Sequence, residues 1–276
     1  MVFIYWDPNP ALFTLPIVNQ PVLWYGILFA LGFALGFPIF VGILCRFLGK
    51  EEKKKAVQIT DRLTAYLVVG TVVGARLGHF LFYEQPAKYL KDPLEFFRIW
   101  KGGLASHGAA LGIILSTLFF SYRIRATTPT LNWIKILDFV CVPTALAAFF
   151  IRIGNFINQE ILGTPSNLPW AVLFAHPSPR CALIPRHPVQ IYEALFYLAV
   201  FFLLYRLTFI KKFLFAQGKL LALFLILIFG FRFGIEFLKL EQSRLLFTSC
   251  LTMGQFLSIP AILFGLTLYY KSLRKN

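Results

Sequence analysis

Charge is scarce in this chain of 276 residues: 14% are Asp, Glu, Lys or Arg, where a soluble protein carries about a quarter. Hydrophobic residues make up 58% and the mean hydropathy is +0.71, which excludes an ordinary soluble domain. Met1 to Leu44 contains no lysine or arginine. The basic start of a cleaved signal peptide is therefore missing, and the first apolar span is expected to stay in the mature protein. Cysteine is limited to four residues, without CxxC or cysteine–histidine spacing, and HExxH does not occur, so no metal and no cofactor is expected. No lysine stands in the middle of a span, which removes retinal-type Schiff-base chemistry, and there is no internal repeat. The net charge of +15 could point to nucleic acid, but the basic residues sit in short loops beside apolar spans. There they act as topology determinants and contacts for anionic headgroups, and no nucleic-acid partner is expected.

What remains is an all-α polytopic membrane protein, read as one integral membrane domain over 1–276. Seven segments approach the roughly 20 apolar residues that a span needs: Val22–Phe47, Thr60–Phe82, Gly103–Tyr122, Trp133–Ile157, Val189–Leu207, Leu220–Leu238 and Gln255–Tyr270. Lys50 and Lys53–Lys55, Arg123 with Arg125, Arg206 with Lys211, Lys212 and Lys219, and the tail Lys271, Arg274 and Lys275 all fall on one side. The positive-inside rule makes that side cytoplasmic, with the N-terminus outside and the C-terminus inside. On the outer side, 84–102 contains an amphipathic stretch expected to lie in the interface. The proline-rich 158–188 is expected to form a small extracytoplasmic cap. Gly70, Gly74 and Gly78, with Gly108 and Gly112, form small-residue ridges suited to close helix packing.

Polar residues inside spans are costly, and here they collect at one depth. Tyr25, Arg76 and His79, His107, Arg152 with Asn155, and Arg232 with Glu236 all lie within about 10 Å of the outer interface at 1.5 Å per residue. Independent snorkelling would scatter them between leaflets. If the run after Trp133 stays helical, Arg152, Asn155 and Gln159 share a face, with Glu160 beside it. Guanidinium groups with few carboxylates nearby suit a phosphate held in two-point contact, and the phosphates at that depth belong to lipids. His107 is the natural acid–base group there, although a histidine at a helix start can equally serve the backbone. Glu193 could orient a base or cap the fifth span.

The stretch Gly-Asn-Phe-Ile-Asn-Gln-Glu-Ile-Leu-Gly after Arg152, with Ser106-His107-Gly108, Trp24-Tyr25-Gly26, Gly74-Ala75-Arg76-Leu77-Gly78, His187-Pro188-Val189-Gln190-Ile191-Tyr192-Glu193 and Phe231-Arg232-Phe233, resembles the bacterial prolipoprotein diacylglyceryl transferases. The resemblance implies an inner-membrane enzyme that moves diacylglyceryl from phosphatidylglycerol to the lipobox cysteine in the signal peptide of a prolipoprotein, with membrane lipids around it. It implies a phospholipid contact for Arg152, and places Tyr25, His107, Asn155, Glu160, Gly163, Arg232 and Glu236 at motif positions linked to activity. The expected catalytic set is His107, Arg152 and Arg232. The expected substrate-binding set is Arg152, Arg232, Tyr25, Asn155, Glu160, Gly163, Glu236 and Arg76. Ala109, and Ile228-Phe229 ahead of Arg232, depart from the family pattern, which commonly has glycine and tyrosine there. A lipid transporter or a phospholipid hydrolase using the same polar layer are the alternatives. A transporter should also show polar residues near the inner leaflet and often a repeat. Cys181 and Cys250 face the oxidising side in this topology and are candidates to pair.

Overall fold

The computed structural model describes residues 3–16, 20–82, 98, 103, 105–240 and 251–274. The expected interfacial helix within 84–102 falls outside them, as does Cys250, and Cys181 is free of any disulfide. Strands β1 (Ile4–Trp6), β2 (Ala11–Leu15) and β3 (Gln20–Leu23) lead into α1 (Trp24–Leu48), α2 (Lys53–Phe82), α3 (Ser106–Ile124) and α4 (Trp133–Ile157). Then come β4 (Val172–Phe174), α5 (Val189–Leu207), the short α6 (Lys211–Leu214), α7 (Lys219–Ile235) and α8 (Met253–Arg274). Seven helices among the described residues are long and apolar enough to cross a membrane, as the sequence led us to expect.

The bounds shift where local chemistry overrides hydropathy. α2 begins at Lys53 rather than Thr60, because lysine, alanine and glutamine propagate a helix well and reach water at its end. α3 begins at Ser106 rather than Gly103, because Gly103 has φ +75° and so cannot join a right-handed helix. α7 stops at Ile235 and tightens into a 3₁₀ turn over Glu236–Leu238.

The chain divides into two compact units, Leu44–Leu137 and the remainder, Met1–Ile43 with Asp138–Asn276. Within Leu44–Leu137, α2 and α3 are in close backbone contact. A Cβ on Gly78 would lie 2.8 Å from Gly108 Cα, and one on Gly74 2.9 Å from Gly112 Cα. The two glycine ridges are thus the packing surface, as their four-residue spacing implies. Tyr66 packs its ring against Phe119 and Phe120, and Trp133 Nε1–H donates to Thr117 Oγ1 at 3.1 Å.

In the other unit α1 crosses α4 closely, so that a Cβ on Gly32 would lie 3.0 Å from that of Ala147. α7 packs on α5 and α8. Fully buried Asp138 on α4 caps α7 from 80 residues away, its Oδ2 accepting from Gly218 N–H at 2.6 Å and its Oδ1 from Leu221 N–H at 2.9 Å. β1 lies parallel to β4, and Leu162, Val172 and Phe174 make a small core with Trp6 and Phe156. Trp6 Nε1–H donates to the Phe156 carbonyl at 3.0 Å, which fastens this core to the end of α4.

Candidate active site

The last turns of α4 carry Arg152 and Asn155, 7% and 5% exposed, on one face. Arg152 Nη1–H donates to Asn155 Oδ1 at 3.3 Å, and Asn155 Nδ2–H donates onward to Glu160 Oε2 at 3.0 Å. Asn158 Nδ2–H donates to the other Glu160 oxygen at 3.2 Å. A cation, two amides and a carboxylate thus form one connected chain.

Gln159 does not continue the Arg152 face. The helix ends at Ile157, and Gln159 and Ile161 both take φ 55°, which turns the backbone sharply around Glu160. The left-handed region is unfavourable for a β-branched residue such as Ile161, so the surroundings must enforce it. Four bonds fix the residues that lead into it, Gln159 and Glu160. Ser178 N–H donates to the Gln159 carbonyl at 2.9 Å, and His176 N–H to Gln159 Oε1 at 2.6 Å. Gln190 Nε2–H donates to the Glu160 carbonyl at 2.6 Å, and Glu160 N–H to the Asn155 carbonyl at 2.9 Å. Gln159 is therefore a structural tie to the segment carrying His176 and Ser178.

On its other flank Arg152 meets Glu193 of α5, whose side chain is fully buried. Arg152 Nε lies 3.2 Å from Glu193 Oε2, close enough for an ion pair but not aligned as a hydrogen bond. Glu193 Oε1 accepts from Tyr197 Oη–H at 3.1 Å and from Lys239 Nζ–H at 3.0 Å. Lys239 is also 3.2 Å from Glu236 Oε2. Burial pulls the Lys239 ammonium below its ordinary range against the opposing attraction of Glu193 and Glu236. The sequence places Glu236 four residues after Arg232, as a neighbour on a continuous helix. The structure pairs Glu236 with Lys239 instead, because α7 ends before Glu236 and the tighter turn brings residues three apart together. Arg232, within electrostatic reach of Glu193 and Tyr197, stays out of the ion pairs formed among the described residues.

Glycines give these groups their room. Tyr25, in the first turn of α1, lays its ring on Gly154, where a Cβ would come within 2.7 Å of Cδ2. Tyr25 thereby feels both Glu160 and Arg152. Glu236 sits against Gly254 at the start of α8, where a Cβ would be 2.5 Å from its carboxylate. Gly163 bridges Lys239, flanked by Thr164 N–H to the Leu238 carbonyl and Leu240 N–H to the Leu162 carbonyl, both 2.8 Å. A Cβ on Gly163 would lie 2.8 Å from that of His187. This pairing stitches the turn after Glu160 to the segment that carries Lys239.

His107 and Arg76 belong to the unit Leu44–Leu137. His107 is exposed in the first turn of α3, with its ring edge-to-face on Phe82 at 5.4 Å. Arg76 is 4% exposed and donates through Nη1 to the Gly103 carbonyl at 3.1 Å, tying α2 to the entry of α3. The described residues contain no group of three or more His, Cys, Asp or Glu able to hold a metal ion. Neither Lys239 nor Tyr197 stands out in the sequence, where Glu193 fits two roles equally. A lysine three residues after Glu236 at the end of a span, and Tyr197 four after Glu193, were the available signals.

These features define a polytopic membrane protein with a buried guanidinium, that of Arg152, held between an amide and a carboxylate near the end of a helix. A family model described as prolipoprotein diacylglyceryl transferase matches residues 10–271. A phosphatidylglycerol–prolipoprotein diacylglyceryl transferase of Porphyromonas gingivalis is 41% identical, covering 99% of this chain and 95% of that protein. Relatives of the same name from Tolumonas auensis, at 40%, and Protochlamydia amoebophila, at 38%, cover 99% and 98% of this chain and 99% and 95% of their own lengths. The chain belongs to the prolipoprotein diacylglyceryl transferase family.

Proposed function

We infer that this protein is a transferase that moves the diacylglyceryl group of phosphatidylglycerol onto the thiol of the lipobox cysteine of a prolipoprotein. The products are a thioether and glycerol phosphate. The names of the relatives carry the substrates, and the observation in this chain that best supports the reading is buried Arg152, oriented by Asn155 and Glu193. A lysine could not offer the same planar pair of donors to a phosphate.

In this reading the prolipoprotein thiol gives its proton to His107, since a thiol of pKa near 8.5 is mostly protonated at neutral pH. The sulfur attacks the glyceryl carbon bonded to the phosphate oxygen, the S–C bond forms and the C–O bond breaks. The bond electrons pass to the bridging oxygen, which leaves as part of glycerol phosphate, and His107 returns its proton to solvent. Arg152 and Arg232 stabilise the charge that grows on that oxygen. Tyr25, Asn155, Glu160, Gly163 and Glu236 shape the headgroup site, and Arg76 supports the entry to α3. The enzyme lies in the bacterial inner membrane, N-terminus outside and C-terminus inside, with its site toward the extracytoplasmic leaflet.

Product analysis tests this. Purified protein, labelled phosphatidylglycerol and a lipobox peptide should give a thioether-linked peptide and glycerol phosphate. Free diacylglycerol formed without peptide would make it a hydrolase. Arg152→Lys should lose most turnover and His107→Gln should lower it, and full activity in either would remove the role assigned to that residue.

A further inference from the structure

β2 and β3 form an antiparallel hairpin that the site does not use. Phe13 stands opposite Val22, Thr14 opposite Pro21 and Leu15 opposite Gln20, with an irregularity between Ala11 and Phe13. Phe13 and Leu15, two apart on a strand, share a face. Leu12, Phe13, Leu15 and Leu23 are between 41% and 51% exposed. No residue of the hairpin is charged, and none lies between Asp7 and Arg46. In water such a hairpin is marginal alone, and its uncharged open edges would invite pairing with other chains. The hairpin also runs into α1 without a linker: β3 ends at Leu23, α1 begins at Trp24, and Trp24 N–H donates to the Pro10 carbonyl at 3.0 Å. α1 is a membrane span, with Leu31 and Leu35 exposed on its surface. The exposed apolar side chains of the hairpin thus adjoin, in the chain, a helix apolar enough to cross a membrane.

We propose that the β2–β3 hairpin is a monotopic membrane anchor. It lies in the boundary between headgroups and acyl chains at the N-terminal end of α1, and phospholipid covers Phe13 and Leu15. The hydrocarbon centre is excluded, because the open strand edges carry N–H and C=O groups that need water or headgroups. The boundary satisfies those groups while leucine and phenylalanine enter the first 5–10 Å of the leaflet. Trp24 and Tyr25, next in the chain, are the residue types that favour that level. Lacking charge, the anchor does not depend on anionic lipid. It sits two residues from Tyr25, and so fixes the depth of the phenol that packs on Gly154.

The test uses the full chain with an environment-sensitive fluorescent amino acid in place of Phe13, reconstituted in phosphatidylcholine vesicles with or without phosphatidylglycerol. A second probe at Leu15 guards against a local fault, and one at Leu263, exposed within α8, reports the membrane interior. Lipids with a nitroxide at acyl carbon 5 should quench the Phe13 and Leu15 probes several-fold more than aqueous iodide does, equally in both vesicle types. Carbon-12 nitroxides should favour Leu263. Quenching by iodide with no nitroxide effect would overturn the proposal, placing the hairpin in water. So would nitroxide quenching confined to vesicles with phosphatidylglycerol. Loss of lipid quenching on adding a lipobox peptide would assign the surface to the peptide instead.

Discussion

Replacing Glu193 by glutamine removes one charge and almost no volume from the centre of the polar cluster. Glu193 is fully buried, and Arg152 and Lys239 approach its two oxygens at 3.2 and 3.0 Å. At an effective dielectric of about 20, a pair 3.2 Å apart attracts by about 5 kcal/mol, and breaking a buried pair by deleting one partner costs about 3–5 kcal/mol. Glutamine recovers part of this, since its carbonyl can still accept from Lys239 and from the Tyr197 hydroxyl. It offers Arg152 an amide N–H in place of an acceptor. The guanidinium keeps its bond to Asn155 but loses the contact on its other flank. We expect kcat/KM for diacylglyceryl transfer to fall by about 1.5–3 kcal/mol of transition-state stabilisation, roughly 10- to 150-fold. The assay is thioether formation on a lipobox peptide from labelled phosphatidylglycerol in vesicles, with thermal unfolding measured in parallel to separate loss of fold from loss of site. Combining Glu193→Gln with Asn155→Ala should cost less than the sum of the two, because both act through Arg152. Activity within twofold of the parent at unchanged stability, or strict additivity in the double variant, would refute the view that Glu193 orients Arg152.

The other predictions probe separate parts of the fold. Burial lowers the Lys239 pKa, so Lys239 should lose its proton, and with it the bridge between Glu193 and Glu236, at a lower pH than a free lysine. The alkaline limb of the activity profile should therefore move to higher pH in Lys239→Arg, and an unmoved limb would remove that residue from the working site. In Gly112→Ala the new Cβ would lie 2.8 Å from the Gly70 carbonyl carbon, and the variant should lose about 1–3 kcal/mol by overpacking between α2 and α3, read by denaturant unfolding in detergent. Asp138→Ala uncaps α7 by removing the acceptor of two backbone amides, and should cost about 2–3 kcal/mol in the same assay, with asparagine recovering part of the loss.

The parts of this molecule that could be read in advance are those written in short-range pattern. Span number follows from apolar length, and the contact between α2 and α3 follows from glycines four apart, since both depend on residues within a few turns. Arg152 and Asn155 were legible for the same reason, being three apart on one helix. Glu193 and Lys239 are 46 residues apart, and no local pattern in either segment reports the other. Lys239 also stands just past a span, where a lysine is ordinarily a solvated end, so its burial could not be foreseen from hydropathy.

Gln159 marks the limit most sharply, because there the periodic argument pointed the wrong way. A helical period of 3.6 placed it on the Arg152 face, and nothing in Asn-Gln-Glu-Ile announces a left-handed turn, which glycine would have done. The turn is imposed from outside, by Ser178, His176 and Gln190, all at least 17 residues away in sequence. Its effect on the site is direct. Had the helix run on, Glu160 would stand about one and a half turns beyond Asn155, on a different face and out of reach of its amide. By leaving the helix after Ile157 the chain folds Glu160 back, so that its carboxylate accepts from Asn155 and Asn158 together. The segment carrying His176 and Ser178 therefore helps to build the site: the bonds that hold Gln159 and Glu160 in this turn also bring a carboxylate to the amide that orients Arg152.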